Sequence, residues 1–179
     1  TNSEQISVKN ASFSFIGQGF IAGIPVPVYV FIIIAVAAYV FLAHTATGRY
    51  IFAVGSNAET ARLSGVNVER TTIQVFVLSG IAIALASIVY LARLTAAQPT
   101  AGQSYEMEAV AATVIGGTSI AGAEGGIFGT VIGAVIVTVI RNGLVQLGVG
   151  SYFTTLVVGV IIIAAVSLDV IRTRIAANK

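Results

Sequence analysis

Glu106 and Glu108 are the first residues to question, because two carboxylates one residue apart could divide acid and base work between them or hold a substrate. They stand at the head of an apolar stretch, where acidic side chains also meet the positive end of a helix dipole, so capping and substrate contact both stay open. His44, the one histidine of the chain, has no ionisable partner beside it and stands at the end of an apolar run, which suits an interfacial residue without catalytic work. The absence of cysteine excludes disulfides, thiolate metal sites and cysteine nucleophiles. Gly117 and Gly122 have the spacing of the first half of a G-x-x-x-x-G-K-[ST] phosphate cradle. Ala123 and Glu124 then stand where lysine and a hydroxyl are required. No nucleotide, metal or other cofactor is therefore expected in this chain, and no catalysis by its own side chains.

A different pattern lies between His44 and Arg70. Ser56-Asn57-Ala58-Glu59 has the S-x-x-E form of a capping box, in which Ser56 would satisfy the Glu59 N–H while Glu59 reaches back to Ser56. Thr60, Ala61, Arg62 and Leu63 extend a short helix, and Gly65 stands where a left-handed C-cap is expected. Asn67 is a candidate N-cap for whatever follows, with Glu69 favourably placed in the first turn. A helix of about two turns is too short to persist alone in water. It must lie along a membrane interface or insert into a groove of a partner.

The elements around these residues are set by hydropathy. With 56% hydrophobic and 9% charged residues and a mean hydropathy of +0.97, the chain lies far outside the soluble range. Its nine Lys and Arg, a net charge of +2, are scattered singly without interleaved aromatics, which argues against nucleic acid as a partner. Residues 24–43, opened by Pro25 and Pro27, and residues 71–92 are each apolar over the roughly 20 residues needed to cross a bilayer core. Residues 93–108 read as a loop. Between Ala109 and Leu147 the glycines Gly116, Gly117, Gly122, Gly125 and Gly126 interrupt an apolar stretch, leaving Ala109–Ala121 and Ile127–Ile140 shorter than a perpendicular crossing. A last apolar run, Tyr152–Leu168, precedes Asp169, Arg172, Arg174 and Lys179.

Loop charge gives the expected orientation. Arg49, Arg62 and Arg70 in one loop and Arg172, Arg174 and Lys179 in the tail assign both to the cytoplasmic side, while the loop with Arg93, Glu106 and Glu108 belongs outside. For the last span to run inward, the glycine-rich region must go in and come back, with its tip at Gly122–Gly126 on the cytoplasmic side. The expected fold is an all-α polytopic transmembrane bundle of about five spans. It comprises an extracytoplasmic N-terminal segment over residues 1–24, a transmembrane domain over 25–170 and a cytoplasmic tail over 171–179. Arg141 fits this scheme poorly unless it snorkels to the headgroups. Gly125, Gly129 and Gly133, four apart, form a small-residue ladder, and Gly80 with Ala84 makes a similar pair. Tight helix packing and an interrupted hairpin lining a pathway both remain open for the glycine-rich region. Channel, carrier and scaffold are the classes in view.

In order along the chain stand Gly48-Arg49-Tyr50, Gly55-Ser56-Asn57, Ala61-Arg62-Leu63-Ser64-Gly65-Val66-Asn67, Ala92-Arg93-Leu94, Gln98-Pro99-Thr100-Ala101-Gly102, Tyr105-Glu106 and Ile115-Gly116-Gly117-Thr118-Ser119. Taken together, from about Thr47 to Asp169, this set resembles the permease subunit of bacterial ABC importers for ribose, xylose, arabinose and related monosaccharides. Permeases of that family are longer, so the chain looks like the C-terminal half of one; its start at Thr1 rather than Met suggests processing or truncation. The resemblance implies a multi-pass protein of the bacterial inner membrane, with its N-terminus here outside and its C-terminus inside. The helix carrying Ser56, Asn57, Glu59, Ala61, Arg62, Leu63 and Gly65 would couple to a cytoplasmic ATP-binding subunit. A second permease subunit and an extracytoplasmic sugar-binding protein would complete the assembly. Gly116, Gly117, Gly125, Gly129 and Gly133 would build the pathway hairpin. At its tip Ala123-Glu124-Gly125-Gly126 stands where members of that family often carry a basic residue. Gln98, Asn142 and Gln146 could meet sugar hydroxyls near the outer mouth, and the sparse polar set Ser79, Ser87, Tyr90, Thr113 and Thr138 suits a low-affinity path. A self-sufficient channel and a branched-chain amino-acid permease are the alternatives.

Overall fold

A computed structural model describes residues 6–7, 11–97, 102–103, 105–120, 122 and 124–177. The architecture is helical, as the hydropathy pattern predicts, with two minimal strand pairs. By packing, the chain divides into two compact units, the first Thr1–Ile51 with Ala61–Gln103, the second Phe52–Thr60 with Ser104–Lys179.

The first unit opens with strand β1 (Ile6–Ser7) and helix α1 (Ala11–Gln18). Strands β2 (Phe20–Ile21) and β3 (Ile24–Pro25) pair across Ala22 and Gly23, whose φ angles of 50° and 81° match the left-handed pair of a type I′ turn. The Tyr29 hydroxyl donates to the Ile21 carbonyl at 3.1 Å, tying this turn to the helix that follows. Helix α2 (Val26–His44) has Pro25 at its N-cap and Pro27 in its first turn, where the missing N–H is harmless. It is apolar on every face and none of its residues is buried within the chain. A helix of that kind is stable only in lipid or against further protein.

Helix α3 (Ala46–Ser56) starts at once. The sequence pattern predicts polar loop here, but Thr45 starts a helix: its hydroxyl accepts the Gly48 N–H at 3.0 Å and donates to the Phe41 carbonyl at 2.6 Å. One side chain thus closes α2 and caps α3. Short helix α4 (Ala58–Leu63) precedes α5 (Val68–Leu94), which is longer at both ends than its apolar run. The Asn67 side chain caps α5 by accepting the Arg70 N–H at 2.9 Å, as expected. Strand β4 (Ala96–Ala97) returns to pair antiparallel with β1.

The described residues of the N-terminal segment, 6–7 and 11–24, carry more secondary structure than a bare external segment implies. Helix α1 lies on α5 so closely that a Cβ on Gly17 would strike the Ala92 and Arg93 backbone, and the Gln18 side-chain amide donates to the Arg93 carbonyl at 2.9 Å. No long apolar run marks α1 in the sequence.

In the second unit, α6 (Tyr105–Ile115) and α7 (Ile127–Gln146) form an antiparallel hairpin against α8 (Ser151–Ala177). Ala111, Ala112 and Val137 are its buried core, with Ile115, Ala134 and Ile162 packed around them. The backbone of α8 remains helical past the predicted end at Leu168 and through residues 171–177; Lys179 lies outside the described residues. Helices α2, α5 and α7 are long and apolar enough to cross a membrane, and α8 carries an apolar stretch over Phe153–Ser167. Helix α6, eleven residues and hence about 16 Å long, covers only about half of a 30 Å core. Of the five expected crossings or near-crossings, α2, α5 and α7 have crossing length, and α6 and α8 stand where the other two are expected.

Candidate functional site

Around α4 every element is defined by a local cap. Thr60 donates its backbone N–H to the Asn57 side-chain oxygen at 2.9 Å, so Asn57 is the N-cap. The expected box had Ser56 there. Ser56 is instead the last residue of α3, and the Asn57 N–H continues that helix by donating to the Ala53 carbonyl at 3.1 Å. The shift of one position arises because asparagine competes for the cap and α3 has already claimed Ser56.

At the other end Gly65 takes φ +85° and donates to the Arg62 carbonyl at 3.0 Å, while the Val66 N–H donates to Ala61 at 3.0 Å. These are the two bonds of a Schellman stop, as predicted at Gly65. The caps fix how α4 is presented. Ala61 is buried, whereas Glu59 and Arg62 are exposed and Leu63 is 85% exposed. Ala61 belongs to the inner side of α4 and cannot be part of a docking face.

The hairpin is built from backbone contact. A Cβ on Gly116 would meet the Gly129 backbone, one on Gly129 the Gly116 carbonyl, and one on Gly133 the Ala112 carbonyl. One turn further, Val137 packs with Ala111 and Ala112. Another turn on, Arg141 Nη1 lies 2.6 Å and 2.8 Å from the two Glu108 carboxylate oxygens, with its guanidinium 5.6 Å from the Tyr105 ring centroid. Contacts thus recur every four residues along α7, from glycine at one end to an ion pair at the other. Arg141 need not snorkel, and Glu108 does more than cap α6. Opposite charges flanking the two arms of a predicted hairpin were the available signal for this pair.

Two of the five hairpin glycines stand outside this contact. Gly117, at φ +85°, is the left-handed stop of α6 and has open space where a Cβ would be. Gly125, at φ +153°, precedes α7 and faces the Thr118 side chain, so the ladder is Gly129 and Gly133 without Gly125. Gly80 of the other small-residue pair faces nothing within the chain.

Between the arms the turn is closed by backbone bonds. Thr118 N–H donates to Thr113 at 3.0 Å, Ser119 N–H to Glu124 at 3.0 Å and Gly122 N–H to Ser119 at 3.2 Å. Gly122, at φ +94°, presses on Gly55 of α3 so closely that a Cβ would land on the Gly55 carbonyl. The tip and the segment leading into α4 therefore share one end of the second unit. Ala123 lies outside the described residues.

The hydroxyls of Ser87, Thr113 and Thr138 donate to the carbonyls of Ile83, Val110 and Ala134 at 2.7–2.8 Å, back onto their own helices. Among the candidate mouth residues Asn142 and Gln146 are exposed near the end of α7, and Gln98 lies outside the described residues. Among the described residues no group of three His, Cys, Asp or Glu side chains could hold a metal ion.

Apolar helices of spanning length, an interrupted hairpin and a short capped helix between them define a polytopic membrane protein. Residues 1–166 match the family model described as branched-chain amino acid transport system / permease component, and the chain belongs to that family. It is 48% identical over 157 residues to the ribose import permease protein RbsC of Escherichia coli K12, covering 88% of this chain and 49% of that protein. Identity is 43% over 160 residues to RbsC of Bacillus subtilis, with 89% and 50% covered. It is 42% over 147 residues to the xylose transport system permease protein XylH of Haemophilus influenzae, with 82% and 39% covered. The chain thus spans about half the length of the curated relatives it matches. No solved structure matches it.

Proposed function

We propose that this chain is the C-terminal half of a permease subunit of a bacterial ABC importer that moves a monosaccharide of the ribose type across the inner membrane. The identity to import permeases named for ribose and xylose carries the reading, and the solvent-facing Leu63 on α4 supports it. In this reading α4 docks on a cytoplasmic ATP-binding subunit, a second permease subunit completes the pathway, and an extracytoplasmic binding protein delivers the sugar. The N-terminus of the chain lies outside and its C-terminus inside, consistent with the Arg49, Arg62 and Arg70 cluster near α4. Hydroxyls already bonded to their own helices leave few free donors in the spans, which favours a low-affinity path with selectivity supplied by the binding protein. The family description names branched-chain amino acids, and this is the observation behind a second reading, an amino-acid permease.

The test uses the full-length permease in proteoliposomes with its co-purifying subunits. ATP-dependent uptake of labelled ribose or xylose, and none of leucine, is expected; leucine uptake without pentose uptake would reverse the assignment. Uptake by the permease alone, without ATP, would make it a self-sufficient facilitator. Leu63→Asp should abolish capture of the ATP-binding subunit while leaving membrane insertion intact.

A further inference from the structure

The contact between Gly122 and Gly55 has no role in packing either arm of the hairpin, yet it is among the closest backbone approaches in the second unit. Its two sides are both stiff. On one, the tip is closed by the Thr118, Ser119 and Gly122 backbone bonds, and the arms behind it are fixed by Gly116 on Gly129, Ala112 on Gly133 and the Glu108–Arg141 pair. On the other, Gly55 lies in the last turn of α3, which the Asn57 N–H closes on the Ala53 carbonyl, and Asn57 joins that turn directly to α4. The hydrogen of Gly122 that replaces a Cβ points at the Gly55 carbonyl, the geometry of a weak Cα–H to oxygen contact. Packing itself groups Phe52–Thr60 with the hairpin.

We propose that Gly122 and Gly55 are positioning residues that form the joint through which displacement of the α3–α4 segment reaches the hairpin. The proposal rests on the importer reading, in which α4 is the element a partner moves. A push on α4 arrives at Gly55, is met by Gly122, and moves α6 and α7 as one body because their contact is main chain on main chain and close-packed, so it transmits displacement. Glycine is required on the tip because any side chain at residue 122 would both strain the backbone and wedge the joint open.

The test compares two alanine substitutions in the full importer, reconstituted with its ATP-binding subunit. Gly122→Ala and Gly117→Ala introduce the same left-handed strain, at φ +94° and +85°, but only the first carries a clash with Gly55. The readout is sugar taken up per ATP hydrolysed, which a mere loss of assembled complex would not change. Gly122→Ala should lower this ratio roughly tenfold, within the range of allosteric couplings, while Gly117→Ala leaves it near the unsubstituted value. Equal ratios in the two variants would overturn the joint. If Gly122→Ala fails to assemble, the chain's lack of cysteine allows a second measurement. Ser56→Cys and Glu124→Cys, bridged by a flexible bismaleimide, tie the tip to α3. Uptake should survive the tie, since the two sides move together, and its loss would refute the proposal. Absence of ATP-driven uptake in the unsubstituted complex would instead refute the importer reading, and the joint with it.

Discussion

Replacing Gly129 by alanine adds one methyl group to α7 at the point where the helix touches the Gly116 carbonyl. The same change at Gly143, in the same helix, adds a methyl group that meets nothing within 4 Å. The two substitutions carry the same gain from removing a flexible helical glycine, about 0.5–1 kcal/mol. At Gly143 that gain should stand alone. At Gly129 the methyl must displace α6, and overpacking of a tight contact costs about 1–3 kcal/mol, enough to cancel the gain and leave a net loss of up to about 2 kcal/mol. At roughly 1–2 °C per kcal/mol for a full-length permease about twice this size, the variants should unfold a few degrees apart and on opposite sides of the parent. Thermal unfolding of the full-length permease in detergent, followed by far-ultraviolet circular dichroism, measures the difference. Shifts of the same sign and size would show that α6 and α7 do not meet backbone to backbone at Gly116 and Gly129.

The cap assignment at α4 predicts that Asn57→Ala costs about 1 kcal/mol of local stability while Ser56→Ala is near neutral, read as hydrogen-exchange protection of residues 61–63. Equal effects would restore Ser56 as the cap. Glu108→Gln and Arg141→Gln should each destabilise the end of the hairpin away from its tip, with a coupling energy of about 0.2–1 kcal/mol in a double-mutant cycle because the pair is partly exposed, Arg141 at 39% and Glu108 at 25%. Additive single effects would mean the pair contributes nothing. Ala61→Arg should reduce the amount of inserted permease, unlike Leu63→Asp, because Ala61 is buried and Leu63 is not; equal membrane levels for the two variants would contradict the orientation of α4.

Where hydropathy alone decides, the sequence was legible. Helices α2, α5 and α8 follow their apolar runs, and the charge count required the glycine-rich stretch to be a hairpin, which it is. The stops at Gly65 and Gly117 differ in how they were read: Gly65 followed a recognisable short helix, whereas Gly117 was grouped with packing glycines because spacing does not distinguish a turn from a contact. Helix α3 was missed because Arg49, Gly48 and Gly55 make its composition polar, while the Thr45 cap that starts it is a single hydroxyl. Helix α1 was missed for the opposite reason. It is too short to show a period, and its stability comes from Gly17 lying on α5, a contact that no local pattern carries. The Asn57 cap shows the limit of motif matching, since two adjacent residues could each have served and the preceding helix decided between them.

The hairpin meets through main chain at Gly116, Gly129 and Gly133, and this has a bearing on how such proteins diverge. A joint with no side chains offers no gradual steps: each single change at these positions introduces a bulky intruder, and none can refine the fit. Drift at the joint is therefore blocked, and variation between lineages handling different solutes must accumulate on surfaces that retain side chains, such as the exposed ends of α7 around Asn142 and Gln146. Comparing substitution rates at these two sets of positions across the family would reveal the division, with a frozen seam beside a freely varying rim.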